Sequence, residues 1–120
     1  MDIESIRMYC ISKKAVTECM PFDDKTLVFK VADKIFALAA LAAYPLRLNL
    51  KCDPEKAIDL RERFESVRPG YHSNKKHWNT IEVNGEMPKE VIYELIDHSY
   101  NLVIAKLTKK VRENNLLEYS

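Results

Sequence analysis

The sequence predicts an α+β domain, a two-layer sandwich in which helices lie on one side of an antiparallel sheet. Three observations predict this class. Apolar residues repeat at helical spacing near both ends of the chain and once in between, three β-prone runs follow the first helix, and 120 residues with 47% apolar content fit one core. The predicted order is α-β-β-β-α-β(β)-α, in a single domain spanning residues 1–120.

The first predicted helix lies near the N-terminus. Ile3, Ile6 and Cys10 are spaced to form one apolar stripe, and Asp2 is a suitable N-cap. The following stretch "AVTECMPFDD" predicts an irregular connection, in which a proline breaks the pattern and Phe22 anchors the connection in the core.

Three strands are predicted next, in the runs "KTLVFKV", "KIFALAALA" and "PLRLNLK". Only Ala32 and Asp33 separate the first two runs, which predicts an antiparallel hairpin. In the third run leucines alternate with Arg47, Asn49 and Lys51, so one face is predicted to be buried and the other to be basic and amide-bearing.

The second half of the chain predicts two helices around a further strand. In "CDPEKAIDLRERFESVRPG" the helix is capped by Asp53 and is expected to continue, with Phe64 and Val67 in its buried stripe, until Pro69 and Gly70 end it. A loop or bent hairpin from residue 71 to 76 and a strand from 78 to 83 follow. Pro88 begins the last helix, which is long and has an apolar stripe that extends to a residue near Leu107.

Composition favours a soluble, cytoplasmic protein without a membrane partner. No apolar run reaches the ~18 residues of a membrane span, and acids stand where a signal peptide would need an apolar core. Cys10, Cys19 and Cys52 are odd in number and lack C-x-x-C spacing, so we expect reduced thiols. The formal net charge is +1, but residues 25–85 hold eleven Lys or Arg against seven Asp or Glu, so the middle of the chain is its basic part.

The sequence does not favour a metal site, a cofactor or an enzyme. His72 and His77 are five residues apart, and on a regular strand or helix that spacing keeps them and Cys52 from converging on a metal. Asp97 and His98 are neighbours in a predicted helix, where they point about 100° apart. An enzyme acting on a phosphorylated small molecule would need a pocket where one of the histidines meets the lysines of the 71–76 loop.

The segment "PGYHSNKKHWNTIEVNG", residues 69–85, is the strongest candidate for a binding surface. No acidic side chain stands from Ser66 to Ile81, while cations, rings and amides are crowded there. Cations suit phosphates and aromatic rings suit unpaired bases. The structural alternative is that Trp78 and Tyr71 pack in the core and the lysines belong to a solvated loop.

Five blocks of the sequence resemble the MmcQ/YjbR family of small bacterial proteins: "LVFKV", "KIFALA", "LNLKCDPEKAIDLRE", "PGYHSNKKHWNTI" and "LIDHSYNLV". The resemblance implies a CyaY-like two-layer fold and DNA binding through a "double wing" motif. The family signature falls on Lys30, Lys51, Tyr71, His72, Asn74, Lys75, Lys76, His77, Trp78, Asn79, Thr80, Ser99 and Tyr100. The chain departs from the pattern at Ala32 and Asp33, where glycines are usual, and at Lys14 and Ala15, where Pro-Gly is usual.

We therefore expect a non-enzymatic DNA-binding protein that holds phosphates through a basic loop and a sheet face. The alternative is a chaperone-like or protein-interaction module, which would use an exposed sheet face or edge. The expected DNA contacts are Lys30, Arg47, Lys51, Tyr71, His72, Asn74, Lys75, Lys76, His77 and Asn79.

Overall fold

A computed structural model of the chain describes residues 1–70 and 74–117. These residues form α1 (Ile3–Ile11), β1 (Val16–Cys19), β2 (Thr26–Val31), β3 (Lys34–Ala40), β4 (Leu46–Lys51), α2 (Pro54–Arg63), β5 (Val67–Pro69), β6 (Trp78–Val83), α3 (Lys89–Ala105) and α4 (Lys109–Asn114).

The strands form one antiparallel sheet in the order β1-β2-β3-β4-β6-β5, and this confirms the predicted α+β class. Helix α3 crosses the centre of the sheet over β2, β3 and β4, while α1 packs near β1 and α2 near β5. The core lies between these layers and includes Phe29, Phe36, Leu48, Ile81 and Ile96, which are almost fully buried. Within the described residues, no helix combines the length and apolar character needed to cross a bilayer.

The predictions for residues 16–19 and for the end of α2 are wrong, because residues without a strand pattern pair with the strands at both edges of the sheet. Residues 16–19, expected as an irregular connection, form the edge strand β1 and pair with β2. Helix α2 ends at Arg63, and Val67 pairs with Ile81 in the short edge strand β5 where a helix was expected. Pro69 fits that edge because it has no N–H to donate.

Two other expectations in the connections also differ from the structure. Phe22 does not anchor the connection, because its side chain is 65% exposed. After α3, a further short helix, α4, was not predicted. Its N-cap Thr108 accepts a hydrogen bond from the Val111 N–H.

The β2–β3 hairpin forms without glycine. Ala32 and Asp33 both take positive φ values, 47° and 67°, as a tight two-residue hairpin turn requires. Beyond the turn, Lys30 pairs with Ile35 but Phe29 pairs with Ala37, so Phe36 is an extra residue in β3. Because of this β-bulge, Phe36 and Ala37 both lie in the core on the helix side of the sheet, and Ile35 lies on the opposite side.

Ser99 of α3 satisfies the backbone groups that the bulge leaves without ladder partners. Its buried hydroxyl donates to the Phe36 carbonyl at 2.5 Å and accepts from the Lys51 N–H at 2.9 Å. One side chain thereby connects the long helix to two central strands. Buried backbone groups need such partners because water does not reach them.

We expect Ser99→Ala to lower the free energy of unfolding by about 2 to 4 kcal/mol, because it leaves a buried carbonyl and a partly buried N–H unpaired. The matched control is Ser12→Ala, which removes a hydroxyl that also donates to a backbone carbonyl but at the surface. The control should change stability by no more than about 0.5 kcal/mol. Denaturant unfolding of both variants checks this, and equal losses would contradict it.

Candidate functional site

The sheet face opposite the helices, called the open face below, carries three rows of side chains set by strand register. In an antiparallel pair, directly opposed residues point to the same side. The central row crosses all six strands and consists of Cys19, Val28, Leu38, Asn49, Thr80 and Arg68. The rows beside it hold Thr26, Ala40, Arg47 and Glu82 on one side and Thr17, Lys30, Ile35 and Trp78 on the other.

A cleft of 580 Å³ lies on this face, and we call it the open-face cleft. Trp78, the single tryptophan of the chain, is half-buried in its wall. The cleft is lined by Phe22, Asp23, Thr26, Ile35, Leu38, Ala40, Arg47, Asn49, Asn74, Trp78 and Thr80. It therefore combines an apolar floor, an aromatic wall and a small number of polar groups, as small-ligand sites do.

The polar groups of the open-face cleft are held in fixed positions. The Thr80 hydroxyl donates to Asn49 Oδ1 at 2.5 Å, which directs the amide nitrogen of Asn49 away from Thr80. The Asp23 carboxylate accepts from the backbone N–H groups of Lys25 and Thr26 at 2.8 Å, and these bonds, led by that from Lys25, lower its pKa. The cleft thus offers both a donor and an ionised acceptor.

Arg47 is the exposed cation of the open-face cleft. It stands opposite Glu82, but that carboxylate lies 3.4 Å from Nη2 of Arg68 on the next strand. Among the described residues no ion pair or hydrogen bond occupies the Arg47 guanidinium. It is available for a phosphate or carboxylate, which a guanidinium binds in a bidentate manner.

The loop before β6 presents Lys75 and Lys76 to solvent beside the cleft. The Asn74 carbonyl accepts from the N–H groups of His77 and Trp78, and Asn74 Oδ1 accepts from the Lys76 N–H. Arg61 of α2 donates from Nη2 to the Lys75 carbonyl at 2.6 Å. The loop is therefore fastened through its backbone, and its two ammonium groups remain exposed.

Gly70 is required at the base of this loop because β5 and β6 approach closely there. A Cβ at this position would lie 2.7 Å from the Trp78 Cβ and 3.0 Å from the Trp78 carbonyl oxygen. The Gly70 N–H donates to that same carbonyl at 2.8 Å. The glycine thereby fixes where the tryptophan begins β6.

Asn79 is not available to a ligand, although the sequence predicts it as a DNA contact. It is only 2% exposed and lies on the helix side of β6. Its Oδ1 accepts from Arg61 Nε at 2.8 Å, and its amide nitrogen donates to the Ala57 carbonyl. Strand alternation places it opposite in direction to Trp78 and Thr80, so its role is to join β6 to α2.

The other predicted contacts lie in different places. Lys30 is half-buried in the open face. His77 is also half-buried, and its carbonyl accepts a hydrogen bond from the Cys52 N–H. Tyr71 and His72 lie outside the described residues. Lys51 turns to the C-terminal end of α3 and lines a second cavity of 300 Å³ with Lys34 and Lys106. Burial, followed by the neighbouring Lys106, lowers the pKa of the Lys51 ammonium group.

Residues 97–100 of α3, which belong to a family signature block, have structural partners. Tyr9 and Lys13 bind the Asp97 carboxylate, and His98 Nε2 accepts from the Asp53 N–H at 3.1 Å. The Tyr100 hydroxyl donates to the Lys14 carbonyl at 2.6 Å. Together with Ser99, these side chains connect α3 to α1, to the start of α2, to strands β3 and β4, and to the turn that follows α1.

Neither of the buried thiols is poised as a nucleophile. Burial raises the pKa of Cys10 to about 12 and that of Cys52 to about 11. Over residues 1–70 and 74–117, no three His, Cys, Asp or Glu side chains are placed to hold a metal ion. One ligand of the triad considered above, His72, lies outside that part of the chain.

The sequence did not single out Asn49 and Thr80 as a pair, or Phe22 and Asp23 as cleft residues. Asn49 lies on the same face as Arg47 in a strand that was predicted correctly, and Thr80 lies on the same face as Trp78. The missing information was that β4 pairs with β6, which sets Asn49 opposite Thr80. Strands distant in sequence cannot be aligned from their patterns alone.

Comparison with known proteins gives a consistent set of relatives. The model of the YjbR family matches residues 11–102. The uncharacterized protein YbdF of Escherichia coli O157:H7 is 36% identical over 108 residues, covering 89% of this chain and 88% of its own length. The uncharacterized protein YjbR of E. coli strain K12 is 34% identical over 113 residues, covering 94% of this chain and 96% of its own length.

Solved structures agree with the fold. The crystal structure of Deinococcus radiodurans protein DR2400, with the domain DUF419, has a TM-score of 0.94 and 42% identity, covering 98% of this chain and 90% of that one. A crystal structure of a Pseudomonas syringae protein has a TM-score of 0.73 and 27% identity, covering 85% of this chain and 98% of that one.

The pKa of His98 predicts a pH dependence of stability. Burial, followed by the charge of Lys56, lowers this pKa, so below about pH 6.5 the unfolded chain takes up a proton that the folded protein resists. Stability contributed by neutral His98 is complete above that pH and is lost as the pH falls through the window below it. His98→Gln, which retains an acceptor for the Asp53 N–H, should flatten unfolding free energy against pH between about 5 and 7. An unchanged slope would contradict this.

The pKa of Lys51 should rise when its neighbouring cation is removed. Lys106→Met eliminates the like charge that opposes the ammonium form, so the pKa should move toward the ordinary value of about 10.4. NMR titration of the lysine Cε and Nζ signals measures it. Lys109→Met, which removes a cation whose ammonium group lies beside Glu113, is the control and should leave Lys51 unchanged.

Proposed function

Because the chain belongs to the YjbR family, whose relatives above are named as uncharacterized, we propose a function from its own open face: it binds DNA and catalyses no reaction. In this proposal the cations of the open face and of the adjoining loop hold the phosphates. Arg47 supplies a bidentate contact, and Lys75 and Lys76 supply point charges.

The observation that supports the proposal is the charge of the open face. Lys30, Arg47 and Arg68 come from three different strands of this face. Among the described strand residues of the same face, Glu82 is the single carboxylate, and Arg68 lies beside it. Lys75 and Lys76 extend the cationic surface past the start of β6.

This cationic surface is local, since the whole chain has a formal net charge of only +1. A protein with dispersed charge would attract polyanions weakly and without orientation. Cations gathered on one face instead define where a phosphate backbone lies. The helix side is separated from it by the full thickness of the sheet.

The arrangement of the candidate catalytic groups favours binding over catalysis. Asp97 and His98 bind to α1 and to the start of α2 respectively, so their functional atoms serve different contacts. The buried cysteines have thiol pKa values far above neutrality. Catalysis would require a nucleophile or base directed into a cleft, and Asp97, His98 and the buried thiols do not line the open-face cleft.

A protein-interaction function is the competing reading, and the exposed Phe22 at the rim of the cleft favours it. An apolar partner would be captured with little dependence on salt, because burial of apolar surface involves no counterion release. DNA bound through phosphates would be released steeply by salt. Salt dependence therefore distinguishes the two readings.

We expect the double variant Lys75→Ala with Lys76→Ala to bind DNA more weakly at every sequence. For a duplex, the slope of log affinity against log salt should become shallower by about 0.9 for every phosphate that the variant no longer neutralises. Fluorescence anisotropy of labelled DNA measures both the affinity and its salt slope. The salt concentration is varied from about 50 to about 200 mM, a range that includes the physiological value.

The matched control removes two exposed lysines from the helix layer, Lys89→Ala with Lys110→Ala. It changes the net charge by the same amount but leaves the open face intact. Equal weakening by the two double variants would mean that only overall charge matters. No binding of any DNA by the unaltered protein at low salt would reject the proposed function.

A further inference from the structure

The wall of the open-face cleft provides a surface for a flat ring. Trp78 is half-buried, so one part of its indole is held by the protein while another part faces the cleft. Ile35 and Leu38 form the apolar floor, and Phe22 lies at the rim. Stacking of a nucleobase on an aromatic side chain is a recurrent means of holding unpaired strands.

The polar groups of the cleft match the edge of a base. The Thr80 hydroxyl engages only the amide oxygen of Asn49. Within the described part of the chain, the amide nitrogen of Asn49 makes no hydrogen bond, so it can donate to a ligand. Asp23 offers an ionised acceptor, whose backbone partners fix its position. Base edges carry both acceptors and donors, and amide and carboxylate side chains are among the groups that read them.

Phosphate contacts are available around the same cleft. Arg47 lies in its lining, while Lys75 and Lys76 follow Asn74, another lining residue. A strand whose base enters the cleft would therefore carry its phosphates toward these cations. This charge complementarity favours a nucleotide over an uncharged ring or an apolar peptide.

The shape of the cleft distinguishes an unpaired base from a paired one. A volume of 580 Å³ is in the range of small-ligand pockets. A base within a duplex is stacked on both sides and paired along its edge, so it would have to be unstacked, unpaired and extruded before it could enter. A single strand has no such cost.

We propose that the open-face cleft binds an unpaired base of a DNA single strand, stacked on Trp78 and hydrogen-bonded by Asn49. The inference rests on the proposed function, since it names the form of DNA that the cationic face holds. It adds a selectivity that phosphate contacts alone would not provide.

The fluorescence of Trp78 tests the inference directly, because it is the only tryptophan of the chain. Three probes are titrated at constant low salt: a short mixed-sequence DNA single strand, a strand of equal length made of abasic sugar-phosphate units, and the blunt duplex of the same sequence. Anisotropy reports binding of each labelled probe, while tryptophan quenching reports stacking. The single strand should bind most tightly and quench, and the abasic strand should bind more weakly without quenching.

Variants locate the effect in the cleft. Trp78→Ala should weaken single-strand binding about 5- to 150-fold, corresponding to the loss of one stacked base, and leave duplex binding within twofold. Asn49→Asp retains the acceptor for Thr80 while removing the amide donor. It should reduce affinity for the single strand more than for the abasic strand, on which only the added negative charge acts, and the tryptophan stays in place as reporter. Tyr44→Ala, which removes a fully exposed aromatic outside the cleft, is the matched control.

The outcomes separate the two proposals. Binding of all three probes with equal affinity and no quenching would overturn the inference while the proposed DNA binding stands. Quenching by the abasic strand equal to that by the normal strand would also overturn it. If Trp78→Ala fails to fold, as shown by circular dichroism, Asn49→Asp decides. Unchanged affinity of that variant for the single strand would then count against base binding.

Discussion

The contact between Ser99 and the bulge of β3 determines much of this molecule. The bulge places an extra residue, Phe36, in the strand, and it turns Ile35 to the open face while Phe36 packs edge-to-face on Tyr100. Without a hydroxyl to satisfy the Phe36 carbonyl and the Lys51 N–H, this irregularity would leave one buried and one partly buried backbone group unpaired. The floor of the cleft on one side and the core on the other both depend on it.

A second constraint divides the basic segment into packing and presenting residues. Arg61 reaches from α2 to the Asn79 side chain and the Lys75 carbonyl, so one guanidinium holds both the strand and the loop that precedes it. Gly70 allows the adjacent strand to approach Trp78. Because Arg61 holds the backbone of the loop from the helix side, the side chains of Lys75 and Lys76 remain exposed and Trp78 lies in the cleft wall.

The proposed function and the site selectivity follow from one geometrical arrangement. Six strands give a broad surface, and the helices cover only one side of it. Side chains on the uncovered side combine cations with an aromatic ring and an amide donor, which together match the charged backbone and the flat bases of a nucleic acid. The signature residues of α3 serve the opposite side, where they hold the helix on the sheet.

The sequence by itself determined the fold class, the hairpin between β2 and β3, and the alternation that exposes Arg47, because hydrophobic periodicity and turn spacing are local properties. It also located the basic segment. Only the tertiary structure decided that Val67 belongs to a strand, since pairing with Ile81 overrides local helical preference. Likewise, only the packing of β6 on α2 buried Asn79, and only the pairing of β4 with β6 set Asn49 beside Thr80. Register between distant strands depends on which side chains are buried together, and no local pattern carries that information.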